Sequence, residues 1–389
     1  MIINTLKGSN TMETKGEIRA FLLNYIQKWP RLELTDLIKL LYQSAFGCGH
    51  FAPDEARVLA YLQQELRETQ AKADEPLAQA VLGGYARVNI VPYAAGGMKN
   101  ETLARLFMLT ANQQPGDDRA EWFDGALLLL EEMAAAGELP FDAQAVRDAL
   151  AAYRAKGSPA VHHSEVYRSA YHPAYRIVRA QYAQLLPVFA AIDRLLDRRE
   201  RVILAIDGNS GAGKSTLADL LMTVYGEASL VHMDDFFLQL HQRTPERFKL
   251  PGGNVDHERF LEEVLAPMRR GEAFSYRPFD CARMQIGEEK AMIPGKLCIV
   301  EGSYSLHPAL ESAYDLKIVL RISPAAQAER ILERNGPQML GRFLNEWIPM
   351  ENLYFEATGI EARADILIGV SARKGERAGY DIVKTEGRT

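Results

Sequence analysis

The chain has 389 residues, 47% of them hydrophobic and 25% charged, with a formal net charge of -6 at neutral pH. That balance describes a soluble globular protein long enough for two ordinary domains and argues against a general nucleic-acid binder. No apolar run approaches bilayer-spanning length, the first residues lack the plan of a secretory signal, and Cys48, Cys281 and Cys298 form no CxxC pair, so the expectation is a cytoplasmic protein with reduced thiols and no membrane partner.

From about residue 13 to residue 198 the pattern is almost entirely helical. "GEIRAFLLNYIQKW", "LTDLIKLLYQSAF", "EARVLAYLQQELRE" and "EWFDGALLLLEEMAAAG" repeat apolar residues at three- and four-residue spacing, the helix period. Thr35 or Asp36 is placed to cap the second of these, and Gly137 to end the last. A glycine-flanked, β-like run interrupts the pattern between Gly83 and Gly97. Tyr175 to Leu196 reads as one long helix, closed by the charged "DRRER", and the domain boundary is expected there, at 198/199.

The texture then changes to short buried strands, "VILAI", "SLVHM", "LCIVE", "LKIVLRI" and "ADILI", with helical stretches between most of them. Alternation of this kind predicts an α/β domain with a parallel sheet and flanking helices, preceded by the mainly α-helical domain. In such sheets ligands bind at the carboxyl ends of the strands. "ENLYFE", Glu351 to Glu356, falls inside a continuous helical pattern.

The first of these strands runs into "GNSGAGKST": Gly208, Asn209, Ser210, Gly211, Ala212, Gly213, Lys214, Ser215 and Thr216. This is G-x-x-x-x-G-K-[ST] in a strand–loop–helix context, the phosphate-binding loop of nucleoside-triphosphate enzymes. Its glycines let backbone N–H groups face phosphate oxygens at a helix N-terminus. Lys214 is expected to reach the outer phosphates of ATP, and the Ser215 hydroxyl to ligate Mg²⁺.

Acids closing the neighbouring strands extend the site. Asp234 follows "SLVHM" and is the aspartate expected to accept the proton of an attacking hydroxyl; for the adjacent Asp235 that role and a turn or N-cap role are equally open. Glu301 closes "LCIV", where a carboxylate orders Mg²⁺ or its waters. Arg330, Arg334 and Arg342 follow the fourth strand. At least one is expected to neutralise transition-state charge, Arg334 and Arg342 being singled out.

The run of "GNSGAGKST", "MDDFF", "GGNVDHERF", "YRPFDCARM" and "VEGSYSLHP" resembles the uridine kinase and phosphoribulokinase group of P-loop kinases, over roughly residues 201–370. The resemblance implies that Asp234 is the general base and again selects Glu301. It also places Asp256, His257, Arg277, Phe279, Asp280 and Arg283 near a nucleoside- or sugar-like acceptor. Phe237 stands where that family often has tyrosine, "CARMQIGEEK" replaces its histidine-bearing stretch, and the lid segment differs. The acceptor therefore stays open.

The helical half carries His50, His162, His163 and His172 with several tyrosines, a combination able to line a second pocket with Arg87, Asn89 and Tyr93. Metal-ligand spacing is missing from it, so metal is the least supported reading, beside an organic or phosphorylated ligand and ordinary packing, capping or oligomer contacts. The functional expectation is a Mg²⁺-dependent kinase acting on a small molecule, with room for a homo-oligomer. A P-loop ATPase that moves its helical half is the alternative, although it has no need of the "YRPFDCARM" stretch.

Overall fold

The structure is a computed structural model that describes residues 13–48, 52, 54–72, 74–113, 116, 118–371 and 379–385. His50 lies outside them. Two compact units divide between Leu186 and Pro187.

The N-terminal unit runs α1 (Lys15–Lys28), α2 (Leu34–Phe46), α3 (Glu55–Glu68), β1 (Ala78–Ala80), β2 (Tyr85–Asn89), α4 (Ile90–Ala95), α5 (Asn100–Ala111), α6 (Arg119–Ala135), α7 (Ala143–Ala155), α8 (Glu165–Tyr171), β3 (Tyr175–Arg179) and α9 (Ala180–Gln184). The helical faces seen in the sequence pack together, with Leu22, Leu37, Leu40, Leu41, Leu127 and Leu130 at the centre. Helix α1 opens with a Thr14–Glu17 capping box, and Gly137 ends α6 with positive φ. Neither Thr35 nor Asp36 is the cap of α2, which begins one residue earlier. Asp36 instead reaches back to the Glu33 N–H at 3.0 Å.

One expectation fails here. The stretch from Tyr175 is not a single helix: Tyr175–Arg179 is a strand that pairs antiparallel with β2, Tyr85 opposite Arg179 and Asn89 opposite Tyr175. "YRIVR" is aromatic and β-branched, and β2 offers backbone groups that need partners on that side. The β-like run seen in the sequence is β2, the middle strand of a β1-β2-β3 sheet.

The C-terminal unit opens with the helix α10 (Leu186–Arg198), which a boundary at 198/199 would leave with the N-terminal unit. The Tyr225 hydroxyl, bonded to Asp193 at 2.8 Å and to the Phe189 carbonyl at 3.3 Å, holds it there. The charged run marks the end of a packed helix, twelve residues past the division between units. Next come β4 (Val202–Gly208), α11 (Lys214–Val224) and β5 (Ala228–His232). Before the next sheet strand, β10 (Leu297–Glu301), lie the short helices α12 (Pro245–Phe248), α13 (His257–Phe260) and α14 (Ala266–Arg270). The same stretch holds two small antiparallel pairs, β6 (Phe274–Tyr276) with β9 (Lys290–Met292) and β7 (Phe279–Asp280) with β8 (Gln285–Ile286).

After β10 follow β11 (Leu316–Ile322), α15 (Pro324–Arg342), α16 (Ile348–Thr358), α17 (Ile360–Arg363), β12 (Ile366–Ser371) and β13 (Gly379–Thr385). The sheet order is β13-β12-β11-β4-β10-β5, and β5, β10, β4, β11 and β12 run parallel. Strand β4 is buried along its whole length in the middle, so the phosphate loop leaves from the sheet's centre, with β5 and β10 ending beside it. Among the described residues no helix is long and apolar enough to cross a membrane.

Candidate active site

The loop between β4 and α11 has the backbone that its sequence demands. Gly208 sits at φ 139°, and a Cβ there would lie 2.1 Å from the Leu320 carbonyl oxygen of the adjacent strand. Gly213, at φ 93°, caps α11 in the left-handed region. Lys214 folds over the loop. Its Nζ donates to the carbonyls of Gly208 (3.0 Å) and Asn209 (3.1 Å) and to Ser303 Oγ (3.2 Å). Incoming phosphate oxygens would replace carbonyl contacts of this kind with charge-assisted ones.

Beside the loop, Ser215 Oγ stands 3.3 Å from each carboxylate oxygen of the buried Glu301. Glu301 is held from the other side by His232 Nδ1 at 2.5 Å, and that bond raises the imidazole pKa although burial opposes it. No group of three or more His, Cys, Asp or Glu side chains able to cage a metal occurs among the described residues. A converging hydroxyl and carboxylate is nevertheless what Mg²⁺ uses when phosphates and waters complete its shell. The residues present fit that ion.

Asp234 and Asp235, adjacent in sequence, separate in structure. Asp235 Oδ2 accepts from the Tyr276 hydroxyl and from Lys290 Nζ, each at 2.9 Å. Asp234 forms no side-chain hydrogen bond or ion pair with any described residue and is open to solvent. Surrounding protein atoms still desolvate it, which raises its pKa; Lys214 pulls the other way and Glu301 adds to the rise. An unbonded carboxylate of raised basicity beside the phosphate-loop lysine is suited to accept a proton.

The arginines rearrange the sequence expectation. Arg330 is the one at the loop, its Nη1 donating to the Gly211 carbonyl at 2.9 Å. Arg334 bonds its neighbour Asn335, and Arg342 pairs with Glu346 at 3.0 Å on an exposed face. Between them Gly336 leaves the helical region (φ 78°, ψ 173°) ahead of Pro337, which breaks α15.

The residues singled out on the acceptor side occupy one insertion, several of them in structural contacts. Asp256 caps α13 through the Arg259 N–H (3.1 Å) and accepts from Gln242 at 2.7 Å. His257 stacks on His307 with ring centres 3.9 Å apart. Arg277 donates to the Gly287 carbonyl at 2.8 Å, and Phe279 lies under the Arg243 guanidinium at 5.1 Å. Asp280 accepts the N–H groups of Ala282 and Arg283 in a turn, leaving the Arg283 side chain exposed.

Sequence reasoning missed two carboxylates. Glu351, in α16, is buried and accepts from the Ser210 N–H (3.1 Å), the Ser210 hydroxyl, Ser303 Oγ (3.1 Å) and Gln327 (3.4 Å). Asp207, the last acid before the loop, accepts from the N–H groups of Gly208 (2.6 Å), Tyr304 (3.1 Å) and Leu306 (2.8 Å) and from the Tyr354 hydroxyl (2.9 Å). Full burial pushes its pKa up to about 6 against those donors, so it is still ionised at pH 7.5. An acid on an otherwise apolar buried strand was the available signal for Asp207. Glu351 had none, because its partners are remote in sequence.

Asp207→Asn turns one acceptor oxygen into a donor that faces other donors. It should destabilise the protein by about 1–3 kcal/mol, read as a lower urea midpoint at an unchanged slope. An unchanged midpoint at pH 7.5 would mean that the four donors do not depend on a carboxylate.

No family model matches the chain. Part of it is similar to the uridine kinase of Clostridium perfringens, 26% identical over 184 residues that cover 43% of this chain and 86% of the relative. Solved structures that align with it include a protein described as a possible uridine kinase from Bacillus stearothermophilus, at 19% identity and TM-score 0.36, covering 46% of this chain and 98% of that one. Another is D-glycerate 3-kinase from Cryptococcus neoformans, at 15% identity and TM-score 0.37, covering 50% and 96%. Over this part the chain is similar in sequence to a uridine kinase, and its parallel sheet carries the phosphate loop at the end of its central strand.

Proposed function

We propose that the protein is a small-molecule kinase that transfers the γ-phosphate of ATP, with Mg²⁺, to a hydroxyl of a nucleoside- or sugar-like acceptor in the cytoplasm. The observation that carries this reading is the division of labour between the two aspartates after β5. Asp235 is engaged by Tyr276 and Lys290, whereas Asp234 is left unbonded beside Lys214. An enzyme that only hydrolyses ATP has less need of a proton acceptor for an alcohol than one that phosphorylates it.

In this mechanism the loop N–H groups and Lys214 hold the triphosphate, while Ser215 and Glu301 would supply the protein oxygens for Mg²⁺, which when bound would offset charge on the phosphates. Asp234 takes the acceptor's proton as its oxygen attacks. Arg330, at the loop, is the arginine placed to meet charge on the transferred group. The acceptor lies on the side of the insertion that carries His257, Phe279 and Asp280.

The test is ADP formation by the purified full-length protein with ATP and Mg²⁺, against a panel of nucleosides and sugars, with the product identified by ³¹P NMR. ADP release stimulated by one acceptor class, together with a new phosphomonoester, is the expected result. ADP release at the same rate with every acceptor and with none would favour an ATPase.

A further inference from the structure

The groups proposed for phosphoryl transfer all belong to the C-terminal unit, yet the N-terminal unit contains a cavity of about 1180 Å³. Among its lining residues are Lys39, Gln43, His162, His163, Tyr175 and Arg176. A smaller recess of about 220 Å³ shares Lys39, Gln43, Cys48 and His162 with it. Part of the histidine- and tyrosine-rich set noted in the sequence therefore meets around one space. Asn89 and Tyr93 do not join it, as their side chains bond the carbonyls of Pro76 and Lys99.

Behind the wall runs a continuous polar chain. Asp36 is fully buried and accepts from the Ser164 N–H and hydroxyl, and it bonds His163 Nδ1 at 2.8 Å. The other ring nitrogen of His163 meets the Tyr175 hydroxyl at 2.7 Å, and Gln43 Nε2 reaches that hydroxyl at 3.2 Å. Gln43 Oε1 in turn accepts from Arg87 Nη2 at 2.7 Å and Nε at 3.1 Å, and Arg87 Nη1 donates to the Tyr25 hydroxyl at 2.8 Å. Burial keeps His163 largely neutral, its pKa held down to about 4 although Asp36 favours the charged form.

The charges in this chain do not balance. Arg87 is buried and permanently cationic, and its hydrogen-bond partners are an amide and a phenol, with the Tyr175 ring 4.7 Å from the guanidinium carbon. Lys39 is half-buried, and its one hydrogen-bond partner among the described residues is the Val161 carbonyl, at 3.0 Å. Neither cation has a carboxylate partner among the described residues, and Asp36 spends its oxygens on His163, Ser164 and the Glu33 N–H. Burial and the field of Arg87 hold the Lys39 pKa down to about 8. Elsewhere on the wall Arg176 is already neutralised by Glu65 at 2.6 Å. A buried positive excess is costly unless an anion completes it. Gln43 and Tyr175, which touch Arg87, face the cavity from which that anion can come.

We propose that the N-terminal unit binds a small organic anion in this cavity, with its carboxylate or phosphate head group on Lys39 and against the Gln43–Tyr175 wall that fronts Arg87. No group of side chains able to hold a metal ion occurs among the described residues, and the two cations without a carboxylate partner favour an anion. Tyr61, Phe107 and Ile177 supply apolar wall for the ligand's body.

Phenyl phosphate and benzoate serve as probes that distinguish the two head groups. The full chain, saturated with Mg²⁺–ATP so that the phosphate loop is filled, is treated with an amine-acetylating reagent, and Lys39 and Lys214 are read separately by peptide mass spectrometry. Saturable protection of Lys39 by phenyl phosphate assigns a phosphate, and by benzoate a carboxylate. Lys39→Met should then weaken calorimetric binding of the protecting probe at least about tenfold. Absence of protection at Lys39 by both probes overturns the proposal. The labelling uses the unaltered chain, so the result stands even if Lys39→Met fails to fold.

Discussion

Lys214→Ala should leave a folded protein in which phosphoryl transfer has fallen at least about a hundredfold. The ammonium bonds two backbone carbonyls and one hydroxyl, groups that water can serve once the lysine is gone. Its loss therefore falls on the state in which phosphate charge builds, where a single fixed cation is worth several kcal/mol. Circular dichroism and the urea midpoint report the fold, and single-turnover transfer reports the chemistry. Near-parental turnover in a folded variant would remove the reaction from this loop.

Asp234→Asn should lower kcat by about a hundred- to ten-thousandfold, the range for loss of a general base, with ATP affinity held. The side chain keeps its size and cannot take up a proton. Desolvation by the surrounding protein atoms raises the pKa of Asp234 above the ordinary aspartate value. Protonation at low pH disables a base, so kcat/KM should climb with pH along a limb whose midpoint lies above that value, and the variant should lack the limb. Weakened Mg²⁺–ATP binding with kcat intact would instead make Asp234 a metal-side residue. Asp235 could not then simply replace it, since Tyr276 and Lys290 already bond it.

The parts legible in sequence share one property, that they are local. The phosphate loop is contiguous, its glycines answer to φ values and a close approach of backbone, and the five strands announce themselves as short apolar runs. What escaped depends on remote pairing. Tyr175–Arg179 looks helical until β2 supplies a partner, and α10 looks like the end of one domain until Tyr225 ties it to the next. Arg330, Arg334 and Arg342 are alike by spacing, and only folding sets the first against Gly211 while Gly336 and Pro337 break the helix before the third. Asp235 differs from Asp234 in being bonded by a tyrosine and a lysine from two short strands that no periodicity marked. In the helical half the histidines stood out, but the unbalanced charge of Lys39 and Arg87 did not, because burial and missing partners are not properties of a residue type.

Asp207 and Glu351 also set an order of events during synthesis. The residues that hold the phosphate loop from α16 are Glu351, 141 positions after Ser210, and Tyr354, 147 positions after Asp207. A ribosome adding about 5–20 residues per second leaves the loop without those partners for many seconds after it has emerged. Until then the Asp207 carboxylate lacks one of its donors, and the Ser210 N–H lacks the acceptor it will finally have. Contacts so distant along the chain also form slowly, because a long loop must close before they give anything back. The stretch that identifies itself first to a reader of the sequence is thus among the last that the growing chain can finish.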